Sequence, residues 1–294
     1  MGLCRFGTAS TVGEAHASGK LKVMMPGIDA SDTGHGPGTY DVPMAGGGGD
    51  GRSVAEKLFA IADAFQGRED LTLSEIAGRS GLPLSTAHRL VAEWVAWGGL
   101  VRGDDAHYRL GLKLWRLGVR EPTARRLRAA ALPYLEVLLD ATREHVHHAV
   151  RDGLGAVYLE RLSAPDAVPV ISDVGSRLPL HATGVGLVLL AHAEPGVLEE
   201  VLASEPKKYL PNTLTTEHEL RARLAEIRSV GLSRSVEELT RGAFSVAAPV
   251  RDASGEVVAA VSIIAHVERR DEPQFALGVR MAARGVSTAL GWRP

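Results

Sequence analysis

The sequence has 294 residues, of which 45 % are hydrophobic and 23 % charged, and its formal net charge is −2 at pH 7. These values are typical of a soluble globular protein with about two domains. The single cysteine, Cys4, excludes a disulfide framework and a cysteine-ligated zinc site, and it suits a reducing cytoplasm. No apolar run approaches the roughly 18 residues of a membrane span, and the first residues lack the pattern of a secretion signal. Because the chain is not basic overall, nucleic-acid binding would require a local basic patch.

Residues 1–50 are rich in Gly, Ser, Thr and Pro, show no apolar periodicity and end in AGGGGDG. Such a segment buries too little apolar surface to offset the entropy of ordering, so we predict a disordered extension. An alternative interpretation is a mis-assigned start codon, with translation beginning at Met44.

Two capping boxes mark the first predicted helices. Ser53 with Glu56 opens SVAEKLFAIADAF, and Thr72 with Glu75 opens TLSEIAGRSG, which Gly81 ends. A third helix is predicted in LPLSTAHRLVAEW, with Pro83 in its first turn and Gly98 at its end. Its apolar stripe consists of Ala87, Leu90, Val91 and Trp94.

The segments LVR and HYRL flank GDDA and predict a short β-hairpin after the third helix. Two helices joined by a glycine-containing turn, followed by a hairpin, indicate a winged helix-turn-helix, with the helix-turn-helix at about residues 72–97. The second helix of such a motif reads bases with side chains near its N-terminus. The candidate DNA-binding residues are Ser85, Thr86, His88, Arg89, Arg102 and Arg109. The region is only slightly basic, so a protein-docking module stays open as an alternative at this point.

The rest of the chain predicts a mixture of helices and antiparallel strands, an α+β fold. After a linker helix, a longer helix begins at Pro122, and Pro133 should bend or split it. Helices are also predicted from about Thr183, at 217–230 and at 272–290. The predicted strands are HVHHAVRD, AVYLERL, VPVISDV, FSVAAPVRD and EVVAAVSIIA.

Metal and catalytic sites are weakly indicated. His145 and His147 share one face of a predicted strand, and His181 and His266 can join them in space, but two or three histidines alone are a weak signal for a metal. Glu237 and Glu238 are adjacent on a predicted strand and so point to opposite faces. No nucleotide-binding or hydrolase motif is present. We therefore expect no metal, no cofactor and no enzymatic activity.

The spaced motifs SEIA…SGLPLSTAHRL, YRLG, GSRLPLHATGVGLVLLA, IRSVGLSRSVEEL and GAFSVAAPVRDASGEVVAAVSI closely resemble the IclR family of bacterial transcription regulators. The resemblance implies a winged helix-turn-helix at 51–112, a linker helix at 113–126 and a GAF-like effector domain with an antiparallel sheet at 127–294. It also implies a homodimer or a dimer of dimers on operator DNA in the cytoplasm, and family habit favours a repressor over an activator. One departure is Leu84, where family members usually carry Lys or Arg.

The start of the predicted helix at Thr183 and Gly184 offers unpaired N–H groups and the positive end of the helix dipole, which suit an anion. The resemblance places an effector pocket around this point, lined by Leu178, Leu180, Ala182, Thr183, Gly184, Ser235, Ser245 and Ser262. Ser235 stands where some relatives have an acidic residue, and Ile264 where some have a second serine. We therefore hypothesise a partly apolar or aromatic carboxylate as the effector. The alternative function is a ligand sensor that docks a protein and no longer binds DNA.

Overall fold

Three helices and a small sheet form the first part of the chain in a computed structural model that describes residues 51–165 and 167–293. The helices are α1 (Val54–Asp63), α2 (Leu73–Ser80) and α3 (Leu84–Trp97). Strands β1 (Asp70–Leu71), β2 (Leu100–Arg102) and β3 (Tyr108–Leu110) pair antiparallel in the order β1-β3-β2. The predicted disorder of residues 1–50 and the alternative start at Met44 lie outside the described residues.

Both predicted capping boxes are present, at Ser53–Glu56 and Thr72–Glu75, and Gly81 ends α2 in the left-handed region. Pro83 is the residue just before α3 and not part of its first turn. The short strand β1 was not predicted, because two residues are too few to show alternation.

The core of this part lies between the three helices and the hairpin. Ile61, Leu71, Ile76 and the predicted stripe residues Ala87 and Leu90 are fully buried, and burial of a large aliphatic side chain stabilises the fold by about 1.5–3 kcal/mol. Trp94 is partly buried, and its indole N–H donates to the Leu58 carbonyl at 3.1 Å. The apolar side of α3 is therefore packed against the core, and the other side of the helix faces solvent.

The predicted linker helix LKLWRLG and the longer helix predicted from Pro122 are both present, as two separate helices. Helix α4 (Leu112–Gly118) ends before α5 (Pro122–Thr142) begins, because Pro122 cannot donate and the Glu121 carboxylate caps α5 by accepting from the N–H groups of Thr123 and Ala124. Pro133 does not split α5. Leu127 and Leu135, among other buried residues of α5, hold the helix in the core on both sides of it.

A six-stranded antiparallel sheet dominates the second part. Its strands are β4 (His145–Asp152), β5 (Gly155–Leu162), β6 (Arg177–Pro179), β7 (Ser233–Val236), β8 (Ala243–Arg251) and β9 (Val257–His266), in the order β6-β5-β4-β9-β8-β7. The remaining helices are α6 (Gly184–Ala191), α7 (Pro195–Ala203), α8 (Glu217–Val230) and α9 (Pro273–Ala289). The predicted α+β class is confirmed.

The sheet is covered on both faces. Val261 and Ile263 of β9 pack in the apolar cluster with residues of α5 and α9, whereas Ala260 packs in the opposite cluster with α6, α7 and α8. This alternation follows from the two-residue repeat of a strand. Within the described residues, none of the helices is both long and apolar enough to cross a membrane.

The predicted strand over VPVISDV, residues 168–174, is wrong. The segment is coil, because Pro169 lacks an N–H for a ladder and the chain then turns at Gly175, whose φ is 83°. The edge of β5 pairs instead with the three residues of β6. Helix α7 and strand β6 were not predicted, and the strand predicted at Glu237 and Glu238 is β7, which ends earlier, at Val236.

Candidate functional site

The predicted base-reading residues lie on the solvent side of α3. Ser85, His88 and Arg89 are exposed, and Thr86 is partly exposed. No side chain caps the start of α3, because the capping position is Pro83, so the N–H groups of the first turn are left for a phosphate. Leu84 begins the helix with 54 % of its surface exposed. The first turn of α3 thus offers donors and one exposed apolar side chain to a partner.

Two of the three predicted DNA-contacting arginines are paired with carboxylates. Arg89 Nη1 lies 2.7 Å from Glu93 Oε1 on the same helix. Arg109 Nη2 lies 2.6 Å from Asp105 Oδ2, and the hydrogen bond from Arg109 holds the pKa of Asp105 at about 2. These pairs are exposed, and exposed ion pairs are weak enough for a phosphate to displace. Arg102 lies over the Tyr108 ring, 5.9 Å from its centroid.

Other basic residues of this part serve the fold. Arg52 donates to the carbonyls of Ser80 and Gly81 and ties the start of α1 to the turn after α2. Lys113 was not predicted as a contact; its Nζ donates to the Trp97 carbonyl at 2.9 Å and lies 4.3 Å from the Trp97 ring centroid.

A cavity opens on the α6 face of the large sheet. Its walls are the coil at 170–172, the start of α6, the loop after β7, and strands β5, β8 and β9. Seven of the eight predicted effector residues line it: Leu178, Ala182, Thr183, Gly184, Ser235, Ser245 and Ser262. The structure places Leu180 elsewhere: its side chain is fully buried in the apolar cluster against α6, because the 3₁₀ turn Leu180–Ala182 directs it into the core.

The start of α6 lines the cavity. Thr183 caps the helix, its Oγ1 accepting from the Gly186 N–H at 3.1 Å. Gly184 and Val185 occupy the first two helical positions, whose N–H groups have no partner inside a helix. A Cβ on Gly184 would lie 2.6 Å from Ser245 Oγ, so glycine allows this close approach to β8. All eight residues of α6 are buried.

The three predicted serines share one face of three neighbouring strands. Ser235 of β7 pairs with Ser245 of β8, which pairs with Ile264 of β9. Ser262 of β9 lies opposite His147 of β4. All three serines are buried, so the register of the sheet brings them to one wall of the cavity.

Sequence reasoning missed the two carboxylates of the cavity. Strand β7 ends at Val236, so Glu237 and Glu238 lie in the following loop and not on a strand. Glu237 Oε1 accepts from the Gly242 N–H at 2.7 Å. Glu238 is buried, with Oε1 3.0 Å from Arg223 Nη1. Burial raises the pKa of Glu238, and the Arg223 guanidinium opposes the rise. The signal in the sequence was that these two carboxylates lie between the apolar residues Val236 and Leu239.

Of the four candidate histidines, His145, His147 and His181 are buried, and His266 is exposed. His145 and His147 stack with their ring centroids 6.2 Å apart, as their shared strand face predicts. His147 Nε2 lies 3.3 Å from Ser172 Oγ, and burial lowers the pKa of His147 to about 3. His181 Nε2 lies 2.9 Å from the Lys207 carbonyl oxygen. Across residues 51–165 and 167–293, no three His, Cys, Asp or Glu side chains are grouped so that they could hold a metal.

Known protein families match both parts of the chain. Residues 54–104 match the IclR helix-turn-helix domain. Residues 123–288 match the family described as bacterial transcriptional regulator IclR C-terminal.

Relatives resemble the chain along most of its length. The glycerol operon regulatory protein of Streptomyces coelicolor is 34 % identical over 232 residues, 76 % of this chain and 91 % of that protein. The HTH-type transcriptional repressor AllR of Escherichia coli is 32 % identical over 225 residues, 75 % of this chain and 83 % of that protein. A crystal structure of an IclR homologue from Microbacterium hydrocarbonoxydans, complexed with 4-hydroxybenzoate, is 39 % identical with a TM-score of 0.75, and the match covers 81 % of this chain and 99 % of that one.

The two matches coincide with the helix-turn-helix and with the domain that contains the cavity. The relatives regulate transcription, so the protein-docking and enzyme alternatives are disfavoured. The chain belongs to the IclR family of bacterial transcription regulators, with an N-terminal DNA-binding domain and a C-terminal effector domain, and it is not an enzyme.

Proposed function

We propose that this chain is a cytoplasmic, homodimeric repressor whose affinity for its operator is set by a small aromatic carboxylate. The observation that carries the proposal is the cavity, which combines a helix N-terminus with apolar and aromatic walls in a family of DNA-binding regulators. We assign DNA binding to residues 51–112, the linker to 113–126 and effector binding to 127–294.

On the DNA side, Ser85, Thr86, His88 and Arg89 enter the major groove from the start of α3. Arg102 and Arg109 of the hairpin contact backbone phosphates. Two copies in a dimer would read half-sites about 34–36 Å apart. The dimer is supported by α4, which has no buried residue and exposes Leu112, Trp115 and Leu117; a second copy of the chain would cover these side chains.

On the effector side, the carboxylate accepts hydrogen bonds from the N–H groups of Gly184 and Val185. Among the described residues that line the cavity there is no lysine or arginine, so the helix N-terminus is the source of positive potential. The apolar walls include Leu178 and Ile264, with Tyr158 as an aromatic neighbour. The 4-hydroxybenzoate bound by the Microbacterium homologue belongs to the same class of acid.

The effector acts on DNA binding only through a difference in its affinity for two arrangements of the protein. In our proposal, the arrangement that binds the acid better holds the two DNA-binding domains away from the operator spacing.

Fluorescence anisotropy with labelled DNA from upstream of the gene tests the proposal. We expect specific binding by the full chain and its release by at least one benzoate derivative. Absence of specific binding would contradict the DNA-binding part, and binding that no carboxylate alters would contradict the effector part.

A further inference from the structure

Glu238 presents an unused hydrogen-bond acceptor at the cavity. Only 3 % of the residue is exposed, and it lines the cavity together with Ser235 and Leu239. Its Oε1 accepts from Arg223 Nη1 at 3.0 Å, whereas its Oε2 is buried and has no hydrogen-bond partner among the described residues. The described residues therefore give Oε1 a hydrogen-bond partner and leave Oε2 without one.

The unpaired oxygen is costly for the folded protein. A buried polar atom that loses its water without gaining a partner destabilises a fold, and the penalty is larger for a charged group. Arg223 offsets the charge, but it also donates to the Arg234 carbonyl at 2.8 Å and lies 3.6 Å from Glu226. The Ser235 hydroxyl is near enough to lower the pKa of Glu238, but no described residue makes a hydrogen bond to Oε2, so a bound molecule can supply that donor.

The start of α6 lines the same cavity and has the opposite character. Thr183, Gly184 and Val185 place the N-terminus of α6 there, which favours an anionic acceptor. The cavity therefore combines donors at α6 with an acceptor at Glu238. A ligand that satisfies both groups has a carboxylate and, separately, an O–H or N–H donor.

We propose that Glu238 is a specificity-determining residue of the effector site, accepting through Oε2 a hydrogen bond from a hydroxyl group of the effector. The effector class is accordingly hydroxy-substituted carboxylic acids. This inference rests on the proposed function, because it takes the cavity as the effector site. A site with a buried acceptor discriminates strongly against an analogue that lacks the donor, since the acceptor is then left unpaired.

Isothermal titration calorimetry with the full chain tests this assignment. The probes are benzoate, 3- and 4-hydroxybenzoate and the corresponding fluorobenzoates, because fluorine is close to a hydroxyl in size and cannot donate. We expect at least one hydroxybenzoate to bind tenfold or more tightly than its fluoro counterpart. In Glu238→Gln, an amide stands where the charged acceptor was, and the preference should fall below about threefold.

Glu226→Gln is the matched control. It removes the other carboxylate beside Arg223, at an exposed position outside the cavity, and it should keep the hydroxyl preference. If Glu238→Gln does not fold, the double variant Arg223→Met with Glu238→Met removes both members of the ion pair, a replacement that buried pairs often tolerate. It should bind hydroxy- and fluorobenzoates equally.

Equal binding of hydroxy- and fluorobenzoates by the unmodified protein would overturn the role of Glu238 and leave the carboxylate site intact. A hydroxyl preference that survives in Glu238→Gln would also overturn it. If no benzoate binds, the proposed aromatic-acid effector fails, and the assignment of Glu238 fails with it.

Discussion

Arg109 Nη2 lies 2.6 Å from Asp105 Oδ2 within the β2–β3 hairpin and 3.1 Å from Asp70 Oδ2 of β1. Two carboxylates thus hold the guanidinium that we assign to a phosphate. Asp105→Asn should release Arg109 from the nearer of its two carboxylates, tighten binding to DNA of any sequence and steepen the salt dependence by up to about one unit of slope. Anisotropy at several salt concentrations measures both effects.

Asp104→Asn is the control for that change, because it removes the same charge from the same turn without releasing Arg109. If Asp104→Asn and Asp105→Asn tighten DNA binding equally, net charge is the cause, and the ion pair does not restrain the hairpin.

Arg89 is predicted to read a base from the start of α3. Arg89→Ala should weaken binding to the operator by about 1–3 kcal/mol and relax the preference at one position of the site. Competition with operator variants measures the preference. Glu93→Gln removes the partner of Arg89 at 2.7 Å and should not weaken binding. A loss in Arg89→Ala that is equal for all sequences, with a shallower salt slope, would instead make Arg89 a phosphate contact.

The buried histidines of β4 predict that the protein loses stability in mild acid. Burial lowers the pKa of His147 to about 3 and of His148 to about 4, from an ordinary value of 6.5. Between pH 6.5 and about 4, the unfolded chain therefore takes up protons at these positions and the folded chain does not. Stability falls as the pH falls through this window, by about 1.4 kcal/mol per pH unit for each histidine.

Urea unfolding at pH 4.5–6.5 measures that slope. His148→Leu removes one of the two groups, and since neither ring nitrogen of His148 has a hydrogen-bond partner among the described residues, the variant should fold with a shallower slope. His218→Gln, at an exposed position of α8, should keep the full slope. An unchanged slope in His148→Leu would show that other groups determine the acid sensitivity.

Addition of a single methyl group at Gly186 of α6 should have a large effect on the stability of the protein. A Cβ at this position would lie 2.5 Å from the Leu180 carbonyl oxygen and 2.5 Å from Thr183 Oγ1. Gly186→Ala should destabilise the protein by about 1–3 kcal/mol and weaken effector binding, because the start of α6 must shift. Gly196→Ala in α7 has no atom within 4 Å of the new Cβ and should melt no lower than the unmodified protein. Similar melting temperatures for the two variants would contradict the close packing at α6.

Local signals in the sequence predicted most of the helices, because side chains such as Ser53, Thr72 and Thr183 cap their own helices. The predictions failed where contacts with distant parts of the chain determine the local structure. Residues 168–174 have strand-like composition, but a strand needs a partner, and β6 takes the edge of β5. Burial of Glu238 likewise depends on Arg223, fifteen residues earlier on α8, which no local pattern shows.

The cavity residues were predicted through family resemblance more than through physics. Ser235, Ser245 and Ser262 meet only because the register aligns three strands, and periodicity within one strand does not fix that register. The sequence does not distinguish Leu180 from Leu178. Leu180 begins the 3₁₀ turn before α6 and points into the core, whereas Leu178 lines the cavity.

Because α6 is buried on every side, it cannot move without opening the core, so the carboxylate of an effector meets a stationary wall. The coil at 170–172 and the loop at 237–240 also line the cavity, and this loop is joined through Glu238 and Arg223 to α8. The start of α6 should therefore set the affinity for any carboxylate, and the loop should set the choice among acids. Substitutions near α6 should weaken all acids alike, whereas substitutions in the loop should change which acids are preferred and which of them act as inducers.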